Sequence, residues 1–153
     1  RVRGLLFDGK VLSETTLTGL SLRPDASLVL WKDALKNVVD GRKVENVVVE
    51  IVLLKGGKTL YRRLYYPASP RKQKLPHPDF TLTATRNEKG YQIDIQSNKL
   101  ARNVLIETDS DGFFSDNYFD LLPDERKSIQ FDTKVELDVK NAFRVKSLVD
   151  TMH

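Results

Sequence analysis

The chain has 153 residues, a net charge of +4, 40% hydrophobic and 30% charged residues, and no cysteine. This composition excludes a disordered chain, and no apolar run approaches the roughly 20 residues that cross a bilayer as a helix. The lack of cysteine excludes disulfides, thiolate metal sites and cysteine nucleophiles, and leaves the compartment open.

Most of the sequence alternates with a period of two, the pattern of strands with one buried face. Leu5 and Phe7 lead into Asp8-Gly9, a dipeptide suited to a tight hairpin turn, and Val11 and Leu12 return. Leu20 and Leu22 alternate before a Pro24-Asp25 turn, and Leu28 and Leu30 alternate after it, ending at Trp31. Residues 33–39 are the best helical stretch, with Ala34, Leu35 and Val38 on one side, but they allow only one or two turns. Val47, Val49, Ile51 and Leu53 then point one way and Glu50 the other. Gly56-Gly57 turns this strand into a return over residues 60–66.

Pro67, Pro70, Pro76 and Pro78 interrupt the pattern, with Arg71, Lys72 and Lys74 among them. Proline fixes φ and lacks an amide donor, so the stretch reads as an extended linker between two domains. Alternation resumes at Phe80, Leu82 and Ala84, turns over residues 87–90, and continues at Tyr91, Ile93 and Ile95. Val104 and Ile106 mark a third strand. A fourth fits around Tyr118. Ile129 with Phe131, Val135 with Leu137 and Val139, and Phe143 with Val145 and Leu148 mark three more. Seven short strands at this spacing are those of an immunoglobulin-like sandwich. The first half has five or six candidates and begins abruptly in one. The expected fold is therefore all-β: two consecutive immunoglobulin-like β-sandwich units over residues 1–75 and 76–153, the first incomplete. The chain starts at Arg1 instead of Met, so its natural N-terminus is expected to lie further upstream.

Charge is unevenly divided. Residues 1–76 hold 15 Lys and Arg against 7 Asp and Glu, and residues 77–153 hold 10 against 14. A basic half raises nucleic acid as a partner. No Arg/Lys run exceeds two and no aromatic platform is interleaved, so the charges are expected to sit singly on outer strand faces, with no nucleic acid and no membrane as partner. No Asn-x-Ser/Thr sequon is present.

The most distinctive segment is residues 111–125, DGFFSDNYFDLLPDE. Asp116, Asn117, Tyr118, Phe119, Asp120, Leu121, Leu122, Pro123 and Glu125 resemble the segment Asp-Asn-Tyr-Phe-Asp-Leu-Leu-Pro-Gly-Glu of the C-terminal domain of β-mannosidases of glycoside hydrolase family two. Asp124 stands where that family has glycine. Glycine there suits a positive φ, which aspartate tolerates at modest cost. Residues 74–78 look like the family's interdomain linker, residues 9–12 like its earlier domain, and residues 146–150 like its last strand. Independently of any family, Phe113, Phe114, Tyr118 and Phe119 are four of thirteen aromatic residues. Tyr118 and Phe119 are expected to face opposite ways on a strand, one ring in the core and the other outside.

The resemblance implies a retaining exo-glycosidase parent that removes terminal β-linked mannose, with periplasmic or extracellular location favoured. Its two catalytic glutamates would lie in a barrel domain before Arg1, and nothing here matches them. Asp109, Asp111, Asp116, Asp120, Asp124 and Glu125 supply carboxylates of the kind glycosidases pair, yet in a solvated loop they are expected to titrate ordinarily. Asp109 and Asp111 fit the start of a calcium loop, but Gly112 comes two places early and Phe113 falls on the third ligand. His77 and His153 lie in the linker and at the terminus. No nucleotide or nucleophile motif is present. No catalytic, metal or cofactor residue is therefore assigned. The expected role is structural, with the catalytic barrel and other domains of the parent as partners. The alternative is an independent carbohydrate-binding module with glycan as partner, and a cell-surface adhesion domain is a third class.

Overall fold

The computed structural model describes residues 1–21, 25 and 27–152. The chain divides into two compact units: one of Arg1–Leu6 with Lys10–Lys74, the other of Phe7–Gly9 with the chain from Leu75 onward.

In the first unit β1 (Val2–Leu6), β2 (Val11–Thr15), β3 (Val47–Lys55) and β4 (Lys58–Tyr65) form one antiparallel sheet in the order β2-β1-β3-β4. The β3–β4 turn uses Gly56 and Gly57 at φ 55° and 78°, where a two-residue hairpin demands left-handed backbone. The short α1 (Leu35–Val38) falls inside the expected helical stretch. Val38, Val47, Val48, Val49 and Val52 are buried.

Gly4 leaves room for the end of α1. A Cβ placed on it would lie 2.0 Å from the Val38 carbonyl oxygen, which accepts a bond from Ser13 Oγ at 2.6 Å. Backbone cannot swing aside as a side-chain tip can. Gly4→Ala should therefore cost about 2 kcal/mol, as overpacking does. A urea titration that finds it as stable as the parent would contradict this packing.

The expected alternation at Leu28 and Leu30 does not make a strand. Residues 27–34 join no ladder, and Val29 is 78% exposed. Alternation supplies a face but not a backbone partner. Leu22 and Pro24, read as strand and turn, lie outside the described residues, as does His153.

The second unit packs two sheets. One has the order β5-β6-β10-β8, from β5 (Phe80–Asn87), β6 (Gly90–Ser97), β8 (Phe113–Phe114) and β10 (Arg126–Asp132). The other has the order β11-β7-β9, from β7 (Ala101–Glu107), β9 (Phe119–Leu121) and β11 (Arg144–Lys146). Tyr91, Ile93, Ile95, Ile129 and Phe131 from the first sheet share one core with Val104, Ile106, Phe119 and Leu121 from the second. Each such side chain contributes about 1.5–3 kcal/mol by leaving water. The β5–β6 turn falls where expected, with Asn87 Oδ1 accepting the Lys89 and Gly90 amides at 3.0 Å each.

Two expected strands differ. Residues 135–139 form none. Thr133 Oγ1 accepts the Val135 amide at 3.1 Å and the Tyr91 hydroxyl accepts the Leu137 amide at 2.8 Å, so side chains take the donors a ladder would use. The last strand stops at Lys146. Ser147 and Asp150 form a reciprocal capping box, and Leu148–Thr151 is a 3₁₀ turn.

Candidate functional site

The motif segment runs from the end of β8, through β9, to the start of β10. Its polar side chains hold backbone. Asn117 Oδ1 accepts the Ile106 amide at 2.8 Å, and Asn117 Nδ2 donates to the Ile106 carbonyl at 2.9 Å. One amide side chain thus replaces a strand neighbour for β7. Tyr118 donates its own amide to Val104 O at 2.8 Å. Asp120 Oδ1 accepts the amide of Asn103 at 2.8 Å. Asn103 has φ 49° and lies in the irregularity of the β7–β9 register, so Asp120 ties down a bulge.

The rest of the segment is a closed turn. Glu125 Oε2 accepts the Leu122 amide at 2.9 Å, and the Glu125 amide donates back to Leu122 O at 3.1 Å. Leu121 and Leu122 are both buried, Leu121 within the core, and Pro123 follows them into the turn. Asp124 has φ 62°, the positive value expected where the family has glycine. Its amide donates to Ser97 O at 2.8 Å. Asp124→Gly should leave stability within about 1 kcal/mol, whereas Asp124→Val should lose about 1–2 kcal/mol to left-handed strain. Equal stability of the two variants in urea would contradict left-handed strain at this position.

The four aromatic residues divide. Phe119 is buried at 8% exposure, and Phe114 packs at a tilt against Phe131 with ring centroids 4.5 Å apart. Phe113 is 83% and Tyr118 67% exposed. One ring of the Tyr118–Phe119 pair is thus inside and one outside, but not as two residues of one strand. Tyr118 precedes β9 at φ 60°.

The acids of this region are held separately. Asp109 takes a bidentate pair from Arg144 at 2.7 and 2.8 Å, and the hydrogen bonds and charge of Arg144 keep its carboxyl below the usual range. Asp116 meets Lys127 Nζ at 2.6 Å, and that ammonium lies 4.5 Å from the centre of the Phe119 ring. A shallow cleft of about 270 Å³ is lined by Asp109, Glu136 and Asp138. There Glu136 meets Arg86 at 3.2 Å, and Asp138 receives the Asn141 side chain at 2.9 Å. Among the described residues no group of three or more His, Cys, Asp or Glu is placed to hold a metal ion. His77 offers its carbonyl oxygen to Lys99 Nζ at 3.3 Å.

One cluster was not expected. Glu50, whose side chain is 5% exposed, sits beneath Arg3 at 2.6 Å, Arg62 at 2.9 Å and Arg1 at 3.8 Å. Burial raises the Glu50 carboxyl, but the hydrogen bonds and charges of Arg3 and Arg62 outweigh it and hold the group below its usual value. Charges of the basic half were expected to sit singly on outer faces. Three of them instead converge on one buried acid, because β1 and β4 flank β3 and Arg3 lies directly opposite Glu50. A glutamate inside the apolar run VVVEIVLL was the available signal.

A family model described as a mannosidase Ig/CBM-like domain matches residues 1–72, and one described as an Ig-fold domain of mannosidases matches residues 75–151. The fold is similar to that of the β-D-mannosidase from Dictyoglomus thermophilum, with a TM-score of 0.75 over 96% of this chain at 19% identity. This chain spans 18% of that chain's length. No curated protein matches it.

Proposed function

Because this chain belongs to the immunoglobulin-like domains of mannosidases, we propose that it is the non-catalytic C-terminal region of a β-mannosidase-type exo-glycosidase, supporting or bordering the catalytic barrel. The observation that carries this reading is the commitment of Asn117, Asp120 and Glu125 to backbone groups of their own unit. Retaining hydrolysis needs an acid and a nucleophile about 5–5.5 Å apart at the scissile bond, free to exchange protons with substrate. Carboxylates that close a turn and a bulge are not free to do so. In the proposed arrangement the retaining pair comes from another domain of the parent.

The second reading is a carbohydrate-binding module, favoured by the Ig/CBM-like description of the matched family over residues 1–72 and by exposed rings at Tyr61 and Tyr65. Affinity gel electrophoresis through mannan separates the two. A supporting region migrates as it does without polysaccharide. Retardation by mannan, relieved by free mannose, would favour the module.

A further inference from the structure

The strand order leaves β4 at the edge of the first unit's sheet. Tyr61 stands opposite Leu53, Arg63 opposite Ile51 and Tyr65 opposite Val49, so the three share one face by the two-residue period. Tyr61 is 52% and Tyr65 48% exposed, and Arg63 between them is exposed too. At the hairpin end Leu54 and Leu60 are also exposed. Among the described residues Lys55, Lys58 and Arg63 form no ion pair. The nearby acid, Glu50, is occupied by other arginines.

Resting on the accessory-region reading above, we propose that this Tyr61–Arg63–Tyr65 face is a protein-docking surface for an acidic patch with an apolar centre on the rest of the parent polypeptide. Tyrosine and arginine are the residue types that dominate protein-interface energetics, because each brings a large contact and a polar end. The unpaired cations call for carboxylates, and the exposed leucines call for apolar surface. A sugar fits less well. Vicinal hydroxyls need carboxylate or amide acceptors as well as donors, and β4 has no Asp, Glu, Asn or Gln. A second copy fits less well too. Antiparallel pairing of β4 with itself would set the basic pair Arg62 and Arg63 near its own copy, and like charges across strands destabilise.

The test adds this chain in trans to its parent polypeptide truncated before it, with association followed by calorimetry. The parent sequence should bind, and rising salt should weaken it. Arg63→Glu and the double change Tyr61→Ala with Tyr65→Ala should each weaken binding at least about tenfold. Unchanged melting curves would show that these exposed positions leave the fold intact. If the chain binds and all variants bind equally, this surface is wrong while the accessory reading stands. If the chain does not bind at all, both fall. Retardation in a mannan gel that depends on Tyr61 and Tyr65 would also overturn the proposal, in favour of a glycan platform.

Discussion

Glu50→Ala should destabilise the first unit by about 3 kcal/mol. Removing one member of a buried ion pair leaves uncompensated charge behind, a loss of about 3–5 kcal/mol in closed sites. Here Arg1, Arg3 and Arg62 keep 32%, 24% and 28% of their side-chain surface in water, which places the effect at the lower end. The pH dependence has a definite sign. The folded pKa of Glu50 is lowered, so its contribution is fully present above the unfolded value of about 4.3 and is lost as pH falls through the folded value. Urea midpoints measured from neutral to acid pH should fall for the parent in that acid window. Glu50→Ala should start lower and lose less across it. A variant as stable as the parent at neutral pH would show that the three arginines do not need the acid.

Asn117→Ala should cost about 2–4 kcal/mol, although a surface asparagine in a loop ordinarily costs little. The truncation leaves the amide and carbonyl of Ile106 without partners, and Ile106 is 1% exposed. Each such orphaned group costs about 1–3 kcal/mol. Asn117→Asp is the sharper variant. Its carboxylate can accept the Ile106 amide but cannot donate to the Ile106 carbonyl. It should recover part of the loss and no more. If Asn117→Asp matched the unaltered chain in stability, the bond from Asn117 Nδ2 to the Ile106 carbonyl would carry no energy.

Parts of the molecule differ in how far the sequence announces them. The second unit was legible because its core strands keep strict alternation. Ile93 stands opposite Ile129 and Tyr91 opposite Phe131 on adjacent strands of one sheet, and with Ile95 they line the core as their spacing implies. Asp124 was legible because the turn chemistry is local: a residue in a Pro-Asp-Glu turn, at a glycine position of the family, has φ 62°. Glu50 was not, because its meaning depends on partners 47 and 12 residues away in sequence. Period-two counting placed it on the face opposite Val49 and Ile51 but could not say that this face is buried. Residues 135–139 misled for a related reason. Leu137 turns to the core, and Val135 and Val139 turn out, yet the backbone donors go to Thr133 and Tyr91 instead of a strand. The Ser147–Asp150 capping box, by contrast, is a local signal that announced a helical turn where a strand was expected.

The bonding of Asn117, Asp120 and Glu125 also bears on what the motif segment is for. A segment can be distinctive because its chemistry acts on a substrate or because its backbone takes an unusual path. Here Asn103, Tyr118 and Asp124 all have positive φ within or opposite the segment. Left-handed backbone at non-glycine residues costs about 1–3 kcal/mol each unless the surroundings fix it. The side chains of Asn117, Asp120 and Glu125 bond to backbone beside these residues, holding β7, β9 and the turn before β10 together.

On the proposed accessory role this chain takes no part in bond cleavage, and nitrophenyl β-mannoside turnover by the purified chain is the direct test. The acids are tied to separate partners: Asp109 to Arg144, Asp116 to Lys127, Asp120 to the Asn103 amide and Glu125 to the Leu122 amide. A working pair would share one cleft with surroundings that drive the two pKa values apart, whereas in the cleft of Asp109, Glu136 and Asp138 each acid has its own partner, Arg144, Arg86 and Asn141. No nitrophenol release above the uncatalysed rate is expected at any pH. Release that saturates with substrate and disappears in Asp120→Asn or Glu125→Gln, with the fold retained by circular dichroism, would contradict it.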